Sequence, residues 1–134
     1  MAYLFRQKFN ITDLINPAAS KKVLIFEPEE YLAGVYELYL KEHFLVSHTR
    51  SLDAVRPAVD VFKPHVLVFN IDGDLAIKFL LNLKPDFPQL LLVSTSFAGG
   101  ERVKELMQLG VLGHINRRFS RPSDLAVIVK SIIN

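Results

Sequence analysis

From Lys21 onward, short unbroken apolar runs alternate with longer stretches in which apolar and polar residues mix. Val23-Leu24-Ile25-Phe26 is the first run. It ends in Glu27-Pro28-Glu29-Glu30, where acids suit the positive end of a helix. The pattern predicts that helix to about Glu42 and a second strand from Phe44 to Thr49. Ser51 then caps a helix, with Asp53 in its first turn, that continues to Phe62. Pro57 must sit near its start or kink it. The third run, Val66-Leu67-Val68-Phe69, leads into the turn-like Asn70-Ile71-Asp72-Gly73 and a helix from Asp74 to Leu83. The fourth spans Leu90 to Val93 and ends in Ser94-Thr95-Ser96. A helix from Glu101 to Leu109 follows Gly99-Gly100, with Gly110 as its C-cap. The fifth strand is Leu112 to Asn116, and a last helix begins after Pro122-Ser123-Asp124 and ends near Ile133.

Strands that are apolar at consecutive positions are buried on both faces. Their alternation with helices predicts an α/β chain with a parallel sheet and right-handed crossovers. The expected architecture is a doubly wound five-stranded sheet, whose site lies at the carboxyl ends of the strands. Those ends are Glu27 to Glu29, Thr49 to Ser51, Asn70 to Asp74, Ser94 to Ser96 and Asn116 to Arg118.

Composition narrows the chemistry. The chain has 134 residues, expected to divide into an N-terminal extension, 1–20, and one domain, 21–134. Half of it is hydrophobic and 22% is charged, the reverse of a disordered composition. The absence of Cys excludes a disulfide scaffold, a thiol nucleophile and any Cys-based metal centre. The four His share no ligand spacing, so no metal site is expected. A net charge of +2 is weak support for nucleic acid, which calls for a wider basic stripe. No apolar run approaches the roughly 20 residues that span a bilayer. Arg6, Gln7 and Lys8 interrupt any secretory core near the N-terminus. A soluble, cytoplasmic protein with no membrane or nucleic-acid partner is expected.

Several segments together resemble the receiver domain of bacterial response regulators. They are Lys22 to Glu27, Lys63-Pro64-His65 through Asn70, Asp72-Gly73, Phe87-Pro88, Leu91 to Ser94, Gly110-Val111 and Arg117-Arg118-Phe119. The resemblance implies a flavodoxin-like (βα)5 fold with strand order 2-1-3-4-5. It also implies a phosphorylation pocket: an acceptor Asp ending the third strand, two acids after the first that help hold Mg²⁺, a hydroxyl ending the fourth, and a Lys-Pro pair ending the fifth. On this chain those positions fall on Asn70, on Glu27 and Pro28, on Ser94, and on Arg117-Arg118. The aromatic switch position of the fifth strand falls on His114, and the loop after the third strand is shortened.

These departures have physical consequences. An amide is not a carboxylate nucleophile, so Asn70 accepts no phosphoryl group. Magnesium prefers hard anionic oxygens, and Glu27 and Arg117 cancel in charge, so no Mg²⁺ is expected as cofactor. Arg117 is expected to reach Glu27 or Asn70 and hold the pocket shut, its planar fork differing from a lysine. Asp72, two residues past the acceptor position, is either a turn residue or a shifted phosphoacceptor. Ser94, Thr95 and Ser96 with Gly99 and Gly100 read either as an anion cradle or as loop polarity with helix capping.

Two surfaces stand out. The resemblance implies signalling through the fourth helix, fifth strand and fifth helix, here Lys104, Gln108, His114, Arg118 and Arg121. The first helix carries Tyr31, Tyr36 and Tyr39, which suggest a covered outer face. The cover is either the extension, through residues such as Phe5 and Phe9, or a second copy in a homodimer. The leading expectation is a pseudo-receiver: a phosphorylation-independent protein-interaction module acting through its own surface, not an enzyme. The alternatives are a phosphorylatable regulator that uses Asp72, and a small-molecule or anion binder on the same fold.

Overall fold

A computed structural model describes residues 21–97 and 103–133. The extension with Phe5 and Phe9, and the Gly99-Gly100 pair, lie outside the described residues. Five parallel strands form one sheet in the order β2-β1-β3-β4-β5. They are β1 Lys22–Phe26, β2 Leu45–Thr49, β3 Val66–Asn70, β4 Leu91–Ser96 and β5 Val111–Asn116. The helices are α1 Glu30–Leu40, α2 Val55–Phe62, α3 Ala76–Leu83, α4 Val103–Gln108 and α5 Pro122–Ile133. This is the doubly wound architecture the apolar runs predict.

Alternation along each strand feeds two cores. Leu24, Phe26, Leu67 and Phe69 pack with Val59 of α2, Leu80 of α3 and Leu106 of α4. Val23, Ile25, Val66 and Val68 pack on the other face with Tyr36 of α1 and Leu125 and Val129 of α5. All five residues of β3 are buried, as a central parallel strand requires. β2 is an edge strand, and its Leu45 and His48 are exposed.

Some boundaries differ from the expectation. β4 runs through Ser96 instead of stopping at Val93. Asn70 pairs with Thr95 on one side and Asn116 with Ser96 on the other, so ladder bonds hold polar residues in the strand. Successive strand residues point to opposite faces, so Ser94, Thr95 and Ser96 do not converge on one anion. Ser51 makes no side-chain cap bond; a 3-10 turn, Leu52–Ala54, intervenes before α2. Pro57 then lies in the first turn of α2, where a backbone N–H has no helical partner to lose. The α1 N-terminus is capped by Glu29, whose carboxylate accepts from Leu32 N at 3.2 Å.

The three tyrosines of α1 do not share one covered outer face. Tyr36 is 1% exposed and belongs to the core beneath α1, whereas Tyr31 is 79% exposed and Tyr39 is 41% exposed. Tyr36 lies five residues after Tyr31, about 140° round the helix, and faces the core, so the three do not form one covered patch.

β5 and α5 approach closely at Gly113. A Cβ there would meet Ile128 Cγ2 at 2.6 Å. Ile128 is β-branched and has little rotamer freedom in a helix. Gly113→Ala is therefore expected to cost about 1–3 kcal/mol by overpacking. Urea denaturation would show this as a lower midpoint, and much of the penalty should vanish in an Ile128→Ala background.

Candidate functional site

The carboxyl ends of β1, β3 and β5 converge on Glu27. This carboxylate is 1% exposed. A charge so buried needs partners, and Glu27 takes them from three parts of the chain. Oε1 accepts from Asn70 Nδ2 at 2.8 Å. Oε2 accepts from Glu29 N at 2.9 Å, which folds the chain back after Pro28. Arg117 Nη1 lies 3.6 Å from Oε1.

Asn70 uses both ends of its amide. Its Oδ1 accepts from Asp72 N at 2.8 Å, an Asx turn that sets the shortened loop. That turn brings the Asp72 carboxylate to 3.5 Å from Arg117 Nη2. Both Asp72 oxygens also accept from Phe97 N at 3.0 Å. Asp72 is thus both a turn residue and a member of the site. The site holds two carboxylates against one guanidinium, a formal charge of −1, where the sequence alone suggested cancellation.

Two further residues belong here. Phe97 lies just beyond β4, and the guanidinium carbons of Arg117 and Arg118 sit 5.5 and 5.6 Å from its ring centroid. Its position directly after the Ser-Thr-Ser stretch was the available signal, but strand length had to be known first. Tyr36 lies beneath, its phenol pushed up to about 12 by burial first and then by the Glu27 charge. The pattern of α1 showed a tyrosine there without showing which face it takes.

Ser94 is fully buried, and its Oγ lies 2.6 Å from His114 Nδ1 across the β4–β5 pair. His114 borders a cleft of about 90 Å³ lined with Leu106, Met107 and Leu112. Burial holds this imidazole below its ordinary value, opposed by Asp72. Thr95 Oγ1 and His114 Nε2 are buried without a hydrogen-bond partner among the described residues. Lys104, Gln108, Arg118 and Arg121 are exposed around the same face, with Leu112 and Phe119 beside them. Pro28 and Asn70 line a cleft of about 470 Å³ between the ends of β1 and β3, with Arg50, Leu52 and Leu75.

No protein-family model matches the chain, and no curated protein sequence matches it. Solved structures do. An orphan response regulator of H. pylori superposes with a TM-score of 0.78 at 18% identity, over 88% of this chain and all of the other. A response regulator from Thermotoga maritima gives 0.76 at 16% identity, covering 85% and 98% of the two chains. A CheY-like receiver domain protein from Methanospirillum hungatei gives 0.75 at 14% identity, covering 85% and 94%. The chain has the receiver-domain fold.

On this receiver fold, the donor set at the strand ends does not fit a divalent cation. Both Glu27 oxygens are engaged, Asn70 contributes a neutral amide, and a guanidinium stands between the two carboxylates. Among the described residues, no group of three His, Cys, Asp or Glu could hold a metal ion. No described helix is long and apolar enough to cross a membrane.

Arg117→Met leaves Glu27 buried with only neutral partners, and is expected to cost about 2–4 kcal/mol. Adding Glu27→Gln should recover part of the loss in thermal or chemical denaturation. His114 predicts a pH effect. Its folded value lies below the ordinary 6.5, so the unfolded chain takes up the proton first as pH falls. The stability it contributes is complete above about pH 6.5 and declines as pH falls from there toward the folded value. The denaturation midpoint should therefore drop more between pH 7.5 and 5.5 in the parent protein than in His114→Gln.

Proposed function

We propose that this chain is a pseudo-receiver: a phosphorylation-independent interaction module of a bacterial, cytoplasmic signalling pathway, not an enzyme. The observation that carries this reading is the Glu27–Asn70 hydrogen bond, with Arg117 spanning Glu27 and Asp72. Asn70 stands where the receiver resemblance calls for the phosphoacceptor, and its amide is committed at both ends. Mg²⁺ plays no part in this reading. The partner is a protein, without nucleic acid or membrane. It docks on the face formed by Lys104, Gln108, His114, Arg118 and Arg121, where Phe119 is 84% exposed and Leu112 is 57% exposed. Exposed aromatic and apolar side chains rimmed by arginines suit a protein interface, and a homodimer through the same face is included.

One observation favours a second reading, a phospho-switch with a shifted acceptor. The Asp72 carboxylate is inside the site, and its side chain is 30% exposed. A single experiment separates the two. The full chain and its Asp72→Asn variant are incubated with acetyl phosphate and Mg²⁺, and intact mass is measured. The pseudo-receiver reading expects no phosphoryl adduct on either protein. A stable adduct on the parent chain that disappears in Asp72→Asn establishes the second reading instead.

A further inference from the structure

In a sheet of order β2-β1-β3-β4-β5, the connections leaving β1 and β3 run in opposite directions. A crevice opens between two such strands at their carboxyl ends, and doubly wound folds take their ligands there. The cleft of about 470 Å³ occupies that place and has the size of a small-molecule site. Phe26, Pro28, Leu52 and Leu75 give it apolar walls. Its mouth is open beside α3, where Leu75 is exposed and nothing lies within 4 Å of where a Cβ on Gly73 would stand.

Three features of the cleft suit a carboxylate. Asn70, which lines it, is 4% exposed. Its Nδ2 carries two hydrogens; one goes to Glu27, and no described residue accepts the other. A buried donor with an idle hydrogen calls for an acceptor. Arg50 stands at the rim, steadied through Nε by Pro28 O at 3.2 Å and through Nη1 by Glu30 Oε1 at 3.2 Å. Its Nη2 makes no hydrogen bond to a described residue, and the exposed Glu30 pair is weak enough for a ligand to compete. Finally, α3 starts at the cleft with Leu75 in the cap position and no side-chain cap, so its positive end borders the space.

An acid on the rim narrows the choice further. Asp74 is exposed, and its carboxylate has no hydrogen-bond or ion-pair partner among the described residues. With Glu30 counted, the rim sets two carboxylates against one guanidinium, formally −1. A plain carboxylate ligand adds to that excess. A ligand that also carries an ammonium does not, because the ammonium answers Asp74.

We propose that this cleft binds a free apolar α-amino acid in its zwitterionic form. The carboxylate takes Arg50 Nη2 and the idle Asn70 hydrogen, the ammonium takes Asp74, and the side chain lies against Leu52 and Leu75. The ligand thereby ties the loop after β2 to the loop after β3. The proposal holds whether or not Asp72 accepts a phosphoryl group.

The test titrates the isotope-labelled full chain with L-phenylalanine and L-leucine and follows backbone amide shifts by NMR. Saturable shifts centred on Arg50, Gly73 and Leu75 are expected below about 10 mM. Hydrocinnamate lacks the ammonium and phenethylamine lacks the carboxylate, so each should bind at least about tenfold more weakly than L-phenylalanine. Asp74→Asn should weaken L-phenylalanine by about the same factor without weakening hydrocinnamate, whereas Arg50→Gln should weaken both. Spectra of the free variants, unchanged outside these two loops, establish that they fold. The proposal is overturned if neither amino acid gives saturable shifts, or if the shifts centre on another part of the surface. It is equally overturned if either analogue matches L-phenylalanine, or if Asp74→Asn binds it as the parent does.

Discussion

A carboxylate with almost no contact with water is tolerated only when its charge is matched and its lone pairs are occupied. Glu27 is that carboxylate, and most of the carboxyl-terminal end of the sheet is arranged around it. Its partners come from the turn after β1, from the end of β3 and from the residue after β5. Asn70 is central because an amide both donates and accepts. An acid in its place would set a second negative charge about 3 Å from the first, and such pairs do not both ionise. The amide instead donates to Glu27 and accepts from Asp72 N, so one guanidinium suffices to bridge two carboxylates.

That bridge links the buried site to the surface. Arg117 is 22% exposed along its side chain, with Glu27 on its inner side and Phe97 beside it. Arg118 shares the same ring and lies on the outer face with Phe119. Arg117 thus joins Glu27 and Asp72 to the segment that carries Arg118 and Phe119. Ser94 and His114 form a second connection from β4 to the α4–β5 cleft. In the proposed function, these contacts hold the interaction face in one arrangement without a phosphoryl group.

The apolar runs made the fold legible because β1, β3 and β4 are buried on both faces, and β3 is apolar at every position before Asn70. Polar strand residues were the blind spot. Ser94, Thr95 and Ser96 look like a loop by hydropathy, yet the ladders of β3 and β5 keep all three in β4. Helix starts were displaced for a similar reason, since the 3-10 turn before α2 depends on backbone bonds such as Ala54 N to Ser51 O. At the site, the residue types at positions 27, 70 and 117 could be read directly. The roles of Asp72, Phe97 and Tyr36 could not, because each depends on where a turn or a helix face points.

The sequence by itself determined the order of strands and helices, an amide at position 70 and an arginine at position 117. These are properties of residue type and spacing, and they survive any small error in element boundaries. Only the tertiary structure decided that Asp72 completes the site, that Tyr36 is core, and that Arg117 faces two acids instead of one. The physical reason is that these facts rest on distances between segments dozens of residues apart. The Asx turn at Asn70 and the parallel register of β1, β3, β4 and β5 set those distances, and hydropathy carries no record of either.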